Sequence, residues 1–215
     1  MKAVSLLSGG KDSFLSTVIA MESGMDIEYA LIVRPEKDSP MFHVPNIGNA
    51  VLTARLLGLK AHEIRESEFD SYFTIMRTDG IEAIVSGATA SDYQHSRIER
   101  LCTLENMLSF SPLWRLNPYI VLDELLLRRI ETIIVSVSAE GLDETYLGRS
   151  IDKEFISDIA RLEKRYKVNP LGEGGEYESF VAGMHGHGSI KIINARKVWT
   201  GSSGYLELKC SFESS

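Results

Sequence analysis

The chain has 215 residues and a mass of 24.0 kDa, with 44% hydrophobic and 25% charged residues, the balance of a globular protein rather than a disordered or fibrous one. Lys and Arg number 23 against 30 Asp and Glu, a formal charge of −7, which argues against a protein that works chiefly by neutralising nucleic-acid phosphates. The two cysteines, Cys102 and Cys210, supply neither a disulfide framework nor a Cys-rich zinc site. No apolar run approaches the roughly eighteen residues of a membrane span, and none forms a signal region, so a reduced, cytoplasmic protein is expected.

In chain order, Ala3–Leu7 reads as a short buried strand. A glycine-rich turn follows, then Phe14, Leu15, Val18 and Ile19 at helical spacing. Ala30–Val33 is a second strand, closed by Arg34-Pro35; Asn46 is placed to cap a helix that runs to Leu57 and stops at Gly58. Ala61–Ile64 is a third strand, Phe69–Met76 a helix and Ala83–Ser86 a fourth strand. Ser91 caps a long helix whose apolar face carries Ile98, Leu101, Leu104, Met107 and Leu108. Ile120–Arg129 is another helix and Thr132–Val137 another strand. This alternation predicts a doubly wound α/β domain with a mostly parallel sheet over residues 1–140, binding its ligand beyond the strand ends where the strand order reverses. Over residues 141–215 the pattern changes. A charged helix, Ile151–Lys167, precedes a glycine-rich segment and two strands, Ile190–Trp199 and Tyr205–Phe212, the last alternating Leu206, Leu208, Cys210 and Phe212 with polar residues. That stretch predicts a small antiparallel annex on the substrate side.

The hexapeptide Ser8-Gly9-Gly10-Lys11-Asp12-Ser13 follows the first strand and opens the first helix. Its glycines allow a sharp turn that presents backbone N–H groups to an anion, and the helix adds its positive end. Ser8 and Ser13 offer hydroxyls, Lys11 a charge, and Asp12 a carboxylate able to hold Mg²⁺ or its waters. A bare Ser-Gly-Gly is more simply a tight strand-to-helix turn; the whole hexapeptide in this position favours phosphate binding. Neither Gly-x-x-x-x-Gly-Lys-Ser/Thr nor Gly-x-Gly-x-x-Gly is present, so the loop is neither Walker-type nor a dinucleotide fingerprint. It resembles the pyrophosphate loop of the N-type ATP pyrophosphatases, Ser-Gly-Gly-x-Asp-Ser. The resemblance implies a Rossmann-like fold of the PP-loop type. It further implies ATP held with Mg²⁺ on Ser8, Gly9, Gly10, Lys11, Asp12 and Ser13 and cut between its α- and β-phosphates.

Further segments narrow the resemblance. Met41-Phe42-His43-Val44-Pro45-Asn46 lies beyond the second strand. Gly87-Ala88-Thr89-Ala90-Ser91-Asp92-Tyr93-Gln94 and Arg97-Ile98-Glu99 follow the fourth. Pro112-Leu113-Trp114, Ala139-Glu140-Gly141-Leu142 and Leu147-Gly148 come next, then Asn169-Pro170-Leu171-Gly172-Glu173-Gly174-Gly175-Glu176-Tyr177-Glu178-Ser179. With the phosphate loop, these are similar to the ATP-dependent diphthine–ammonia ligases, over residues 8 to 179. That resemblance implies the last step of diphthamide synthesis on translation elongation factor 2, in which a diphthine carboxylate is amidated with ammonium and AMP and pyrophosphate are released. It puts catalysis on Lys11, Asp12 and Glu176, a metal on Asp12, and Gly87 beside the nucleotide. The acceptor is assigned to His43, Tyr93, Gln94, Arg97, Glu173, Gly174, Gly175, Glu176, Tyr177 and Glu178. Leu171 departs from the small residue or cysteine common in the family. A chain of this length leaves no room for a glutamine-hydrolysing domain, so free ammonium is the implied nitrogen donor.

Each assignment has a plainer competitor. Glu173, Glu176 and Glu178 among three glycines also read as a solvated acidic loop, although carboxylates there suit ammonium, a metal or the trimethylammonium of diphthine, with Tyr177 offering a ring face. His43 alone is more simply a solvated loop histidine. Tyr93, Gln94 and Arg97 also fit an exposed first helical turn; Arg97 is the strongest of the three because guanidinium pairs well with carboxylate or phosphate. His185 and His187 lack a third ligand nearby. Two rival functions use the same loop. One is a tRNA-thiolating enzyme, disfavoured by the net charge and by the lack of paired cysteines; the other is a nucleotide sensor without chemistry. Membrane and direct nucleic-acid binding are not expected, and the sequence leaves monomer and homo-oligomer both open.

Overall fold

The computed structural model describes residues 1–36 and 46–213, which form two compact units, Met1–Arg115 and Leu116–Ser215. In the first, strands β1 (Lys2–Leu6), β2 (Asp26–Arg34), β3 (Ala61–Arg65), β4 (Ala83–Val85) and β5 (Leu108–Phe110) form an all-parallel sheet of order β3-β2-β1-β4-β5. The chain builds outward from β1 to β3, then crosses to place β4 on the other side of β1. The order therefore reverses between β1 and β4, where such sheets bind ligands.

Helices α1 (Lys11–Glu22), α2 (Ala50–Leu56), α3 (Phe69–Thr78) and α4 (Asp92–Leu104) connect the strands. Alternate residues of β1 serve opposite faces. Val4 and Leu6 join Leu31, Val33, Phe69, Phe73, Met76 and Ile98 in one core. Ala3 joins Ala20, Ile27, Ala83 and Val85 in the other. Both faces of the sheet are thus covered, which is why its strands read as continuous apolar runs. Cys102 belongs to the first core, and burial pushes its thiol up to about 12. Phe73 is fully buried and meets Phe69 edge-on at 5.3 Å. Phe73→Ala is expected to cost about 3–5 kcal/mol in urea unfolding; a cost under about 1 kcal/mol would show that α3 does not close this core.

The second unit holds α5 (Pro118–Leu127), β6 (Ile130–Val137), α6 (Lys153–Tyr166), β7 (Tyr177–Met184), β8 (Gly188–Trp199) and β9 (Gly204–Glu213). The four strands close into an antiparallel barrel of order β6-β7-β8-β9, sealed by Ser136↔Tyr205 and Val137↔Gly204. The Asp152 side chain caps α6 by accepting the Phe155 N–H at 2.8 Å, and Lys167 ends the helix in the left-handed region.

Several expectations are corrected here. Thr132–Val137 is a strand, but of the barrel rather than the parallel sheet. A strand paired on both edges and covered on both faces carries the same apolar run in either setting. For the same reason the contacts divide the chain at Arg115/Leu116 instead of after residue 140. Helix α4 stops at Leu104, and left-handed Asn106 turns the chain so that Leu108 begins β5 instead of extending the helical face. Asn46 adopts a left-handed conformation with no side-chain cap, and a short 3₁₀ turn precedes α2.

Candidate functional site

The loop between β1 and α1 sits at the strand-order reversal. Gly9 has φ +86°, a conformation a side chain strains, and a Cβ there would meet Ala50 at the start of α2 at 3.3 Å. Gly10 is the N-cap of α1, and no side chain caps the helix there, an arrangement that suits an anion at the helix start. The hydroxyls organise the turn. The Ser13 hydroxyl donates to the Gly10 carbonyl at 3.1 Å and accepts the Ser8 N–H at 3.1 Å, and the Ser8 hydroxyl lies 3.0 Å from it. Below, the Thr17 hydroxyl donates to the Ser13 carbonyl at 2.7 Å and meets that of Ser5 at 2.6 Å, tying helix to strand.

Lys11 and Asp12 are not the exposed loop charges that their position suggests. The Lys11 side chain is 3% exposed, and its ammonium donates to Asp12 Oδ2 at 2.8 Å. Asp12 Oδ1 is buried and has no hydrogen-bond partner among the described residues. An orphaned carboxylate oxygen costs free energy unless something outside the chain satisfies it. Gly87, just past β4, completes the enclosure: a Cβ there would lie 2.5 Å from the Ser13 nitrogen and 2.8 Å from the Asp12 carbonyl carbon. Ser8, Gly9, Gly10, Lys11, Asp12, Ser13 and Gly87 are therefore brought together.

The start of α4 is more mixed. Ser91 caps it by accepting the Gln94 N–H at 3.4 Å, and Tyr93 is exposed. Arg97 is already engaged. Its Nη2 and Nε donate to Asp70 of α3 at 2.7 and 3.2 Å, and its guanidinium lies over the Phe69 ring, so in this structure it braces α3 against α4. His95 stacks on Trp114 at 3.8 Å, a pairing invisible in the sequence. His43 lies outside the described residues.

In the second unit, the segment from Asn169 to Tyr177 is a tight, internally bonded loop. Glu176 does not project freely: Oε1 accepts the Asn169 N–H at 3.0 Å and Oε2 the Gly174 N–H at 2.7 Å. Gly174 lets the carboxylate close in, since a Cβ there would be 2.9 Å from Oε1. Gly172, at φ +77°, would put a Cβ 2.4 Å from the Tyr177 carbonyl oxygen, and Gly175 is left-handed at φ +82°. Tyr177 is a core residue, 1% exposed. Its hydroxyl donates to the Pro170 carbonyl at 2.7 Å and its ring meets Phe155 edge-on at 5.5 Å, so its ring face is not open to a cation. Glu173 and Glu178 are half-buried. Sequence reasoning missed Ser138, which fastens this loop by donating its N–H to the Glu176 carbonyl at 2.9 Å and its hydroxyl to that of Gly175. Its place directly before Ala139-Glu140-Gly141-Leu142 was the available signal.

Comparison with known proteins agrees with this division. A family model described as the diphthamide synthase N-terminal domain matches residues 1–108, and one described as the diphthamide synthase C-terminal domain matches residues 117–213. The diphthine–ammonia ligases of Rattus norvegicus and Homo sapiens are 31% and 30% identical over 209 residues, covering 84% of this chain and 78% of theirs. Among solved structures, a protein of Methanocaldococcus jannaschii described as a predicted subunit of tRNA methyltransferase is 20% identical. It covers 87% of this chain and 99% of its own, at a TM-score of 0.46.

Proposed function

Because this chain belongs to the diphthamide synthase family, we propose that it is a diphthine–ammonia ligase, amidating diphthine on translation elongation factor 2 with ATP and ammonium. The observation that carries the ATP-dependent half is the enclosure of Asp12 and Ser13 by Gly87 beneath an α1 terminus with no side-chain cap. A carboxylate is a poor acyl donor, so the reaction runs in two steps. A diphthine carboxylate oxygen bonds to the α-phosphorus as the bond to the bridging oxygen breaks, and pyrophosphate leaves with the electron pair. Ammonia then bonds to the acyl carbon, AMP departs, and the nitrogen gives up a proton.

In this reading the N–H groups of Gly9, Gly10 and the first turn of α1 receive the leaving pyrophosphate, with Ser8 and Ser13 holding the turn and Lys11 supplying charge where negative charge develops. Mg²⁺ fits the loop, because the orphaned Asp12 Oδ1 is a hard oxygen donor; when bound, the ion neutralises phosphate charge. Tyr93 and Gln94 are assigned to the acceptor, and so is His43. Arg97 acts as a positioning residue between α3 and α4, while Glu176 and Tyr177 shape the loop that carries Glu173, Gly174, Gly175 and Glu178.

Two results test this. AMP and pyrophosphate, not ADP and phosphate, are expected to form in step with consumption of diphthine-bearing elongation factor, with ammonium sufficient and glutamine unnecessary. ADP as product, or turnover supported equally by tRNA, would contradict it. Glu176→Gln replaces one acceptor oxygen with an amino group that faces a backbone N–H. It is expected to cost about 1–3 kcal/mol locally, read as faster amide exchange across residues 169–176 and slower amide formation, while ATP titrates as in the parent. A collapse of ATP affinity would move Glu176 to the nucleotide.

A further inference from the structure

Within the second unit, the segment that follows β6 and the β8–β9 turn line an open cleft of about 570 Å³. Its wall includes Ser138, Glu140, Asp143, Trp199, Ser202 and Ser203, and no lysine, arginine or histidine lines it. Trp199 is set there by the barrel itself. It pairs with Gly204 in the β8–β9 register, and Gly204 pairs in turn with Val137 at the end of β6. A Cβ on Gly204 would lie 2.4 Å from Trp199 Cε3, so the indole rests over the glycine. The two carboxylates differ in their attachments. Asp143 Oδ1 accepts both the N–H and the hydroxyl of Thr145, and these bonds hold the carboxyl below the usual range. Glu140 has no hydrogen-bond or ion-pair partner among the described residues. The lysine nearest in sequence to Trp199, Lys197, spends its ammonium on the Glu144 carbonyl at 3.1 Å.

We propose that this cleft binds the quaternary ammonium group of the acceptor, with the Trp199 indole against the cation and Glu140 and Asp143 supplying the countercharge. The proposal rests on the activity proposed above, which makes the acceptor a trimethylated amine. A quaternary ammonium has no N–H, so hydrogen bonds cannot select it. An aromatic face with nearby negative charge can, and it discriminates against small, strongly hydrated cations. Ser138 lines this cleft and fastens the Gly175-Glu176 turn, so cation binding and the acidic glycine loop share one anchor. The indole in the cleft takes the part that the sequence assigns to the buried Tyr177.

The chain has two tryptophans, so in a Trp114→Phe protein the emission reports Trp199 alone. Tetramethylammonium chloride is titrated against sodium chloride at matched ionic strength. A saturable change with tetramethylammonium alone is expected, weakened about tenfold in a Glu140→Gln/Asp143→Asn protein, whose substitutions are exposed and keep the Thr145 acceptor. In the amidation assay Trp199→Leu raises KM for diphthine-bearing elongation factor about tenfold, with kcat and the KM for ATP unchanged. Identical, non-saturating responses to both salts overturn the cleft assignment even if the parent chain amidates diphthine. Saturable tetramethylammonium binding by a chain that does not amidate diphthine overturns the activity instead and leaves a cation site.

Discussion

Asp12→Asn is expected to lower AMP release by about 10²- to 10³-fold, the effect of losing one group aimed at developing charge in a buried site, with a smaller loss of melting temperature than Asp12→Ala because a hydrogen bond to Lys11 is kept. Asparagine keeps an oxygen to accept from Lys11 but removes the negative charge from the buried Oδ1, the atom without a partner. Asp12→Ala is a poorer test. The Lys11 side chain is 3% exposed and its ammonium is 2.8 Å from Asp12, and truncating one member of such a pair leaves the other charge poorly compensated. Alanine therefore confounds chemistry with stability. Near-parental AMP release by Asp12→Asn would remove this carboxylate from the reaction.

Gly87→Ala is expected to weaken ATP binding by about a hundredfold, the scale of a displacement of roughly 1 Å in a positioned site, while both hydrophobic cores remain. The added methyl meets backbone, not a pliable side chain: the Ser13 nitrogen at 2.5 Å, the Ser13 Cα at 2.6 Å and the Asp12 carbonyl carbon at 2.8 Å. Relief requires the start of α1 to move away from β4, and the N–H groups of its first turn move with it. The comparison is Gly80→Ala: Gly80 has φ +82°, and a Cβ there meets nothing within 4 Å. It should cost stability through backbone strain and leave ATP binding intact. Equal loss of affinity in both would mean that general destabilisation, not loop position, is being read.

The geometry of the loop between β1 and α1 is legible in the sequence because it is local. Glycine, serine and helix start fall within six consecutive residues, and the preceding strand fixes where they point. The acceptor side is not, because distant partners decide each fate. Arg97 is claimed by Asp70, 27 residues earlier. Tyr177 is drawn inward by the Pro170 carbonyl and Phe155. Glu176 turns back on Asn169 and Gly174. The sheet to which β6 belongs depends on β7 and β9, tens of residues later, and β7 itself begins at Tyr177, where the glycine-rich motif reads as loop. No Pro/Gly/Ser-rich linker marks the division at Arg115/Leu116, which is why strand periodicity places it too late.

The most direct test of the activity is the intact mass of diphthine-bearing elongation factor 2 after incubation with this protein, ATP, Mg²⁺ and isotopically labelled ammonium. The predicted result is incorporation of one labelled nitrogen in place of a carboxylate oxygen. It should depend on ATP, be lost with Asp12→Asn and occur without glutamine. An unchanged mass while AMP accumulates would contradict the account, because this loop would then be activating some other acceptor.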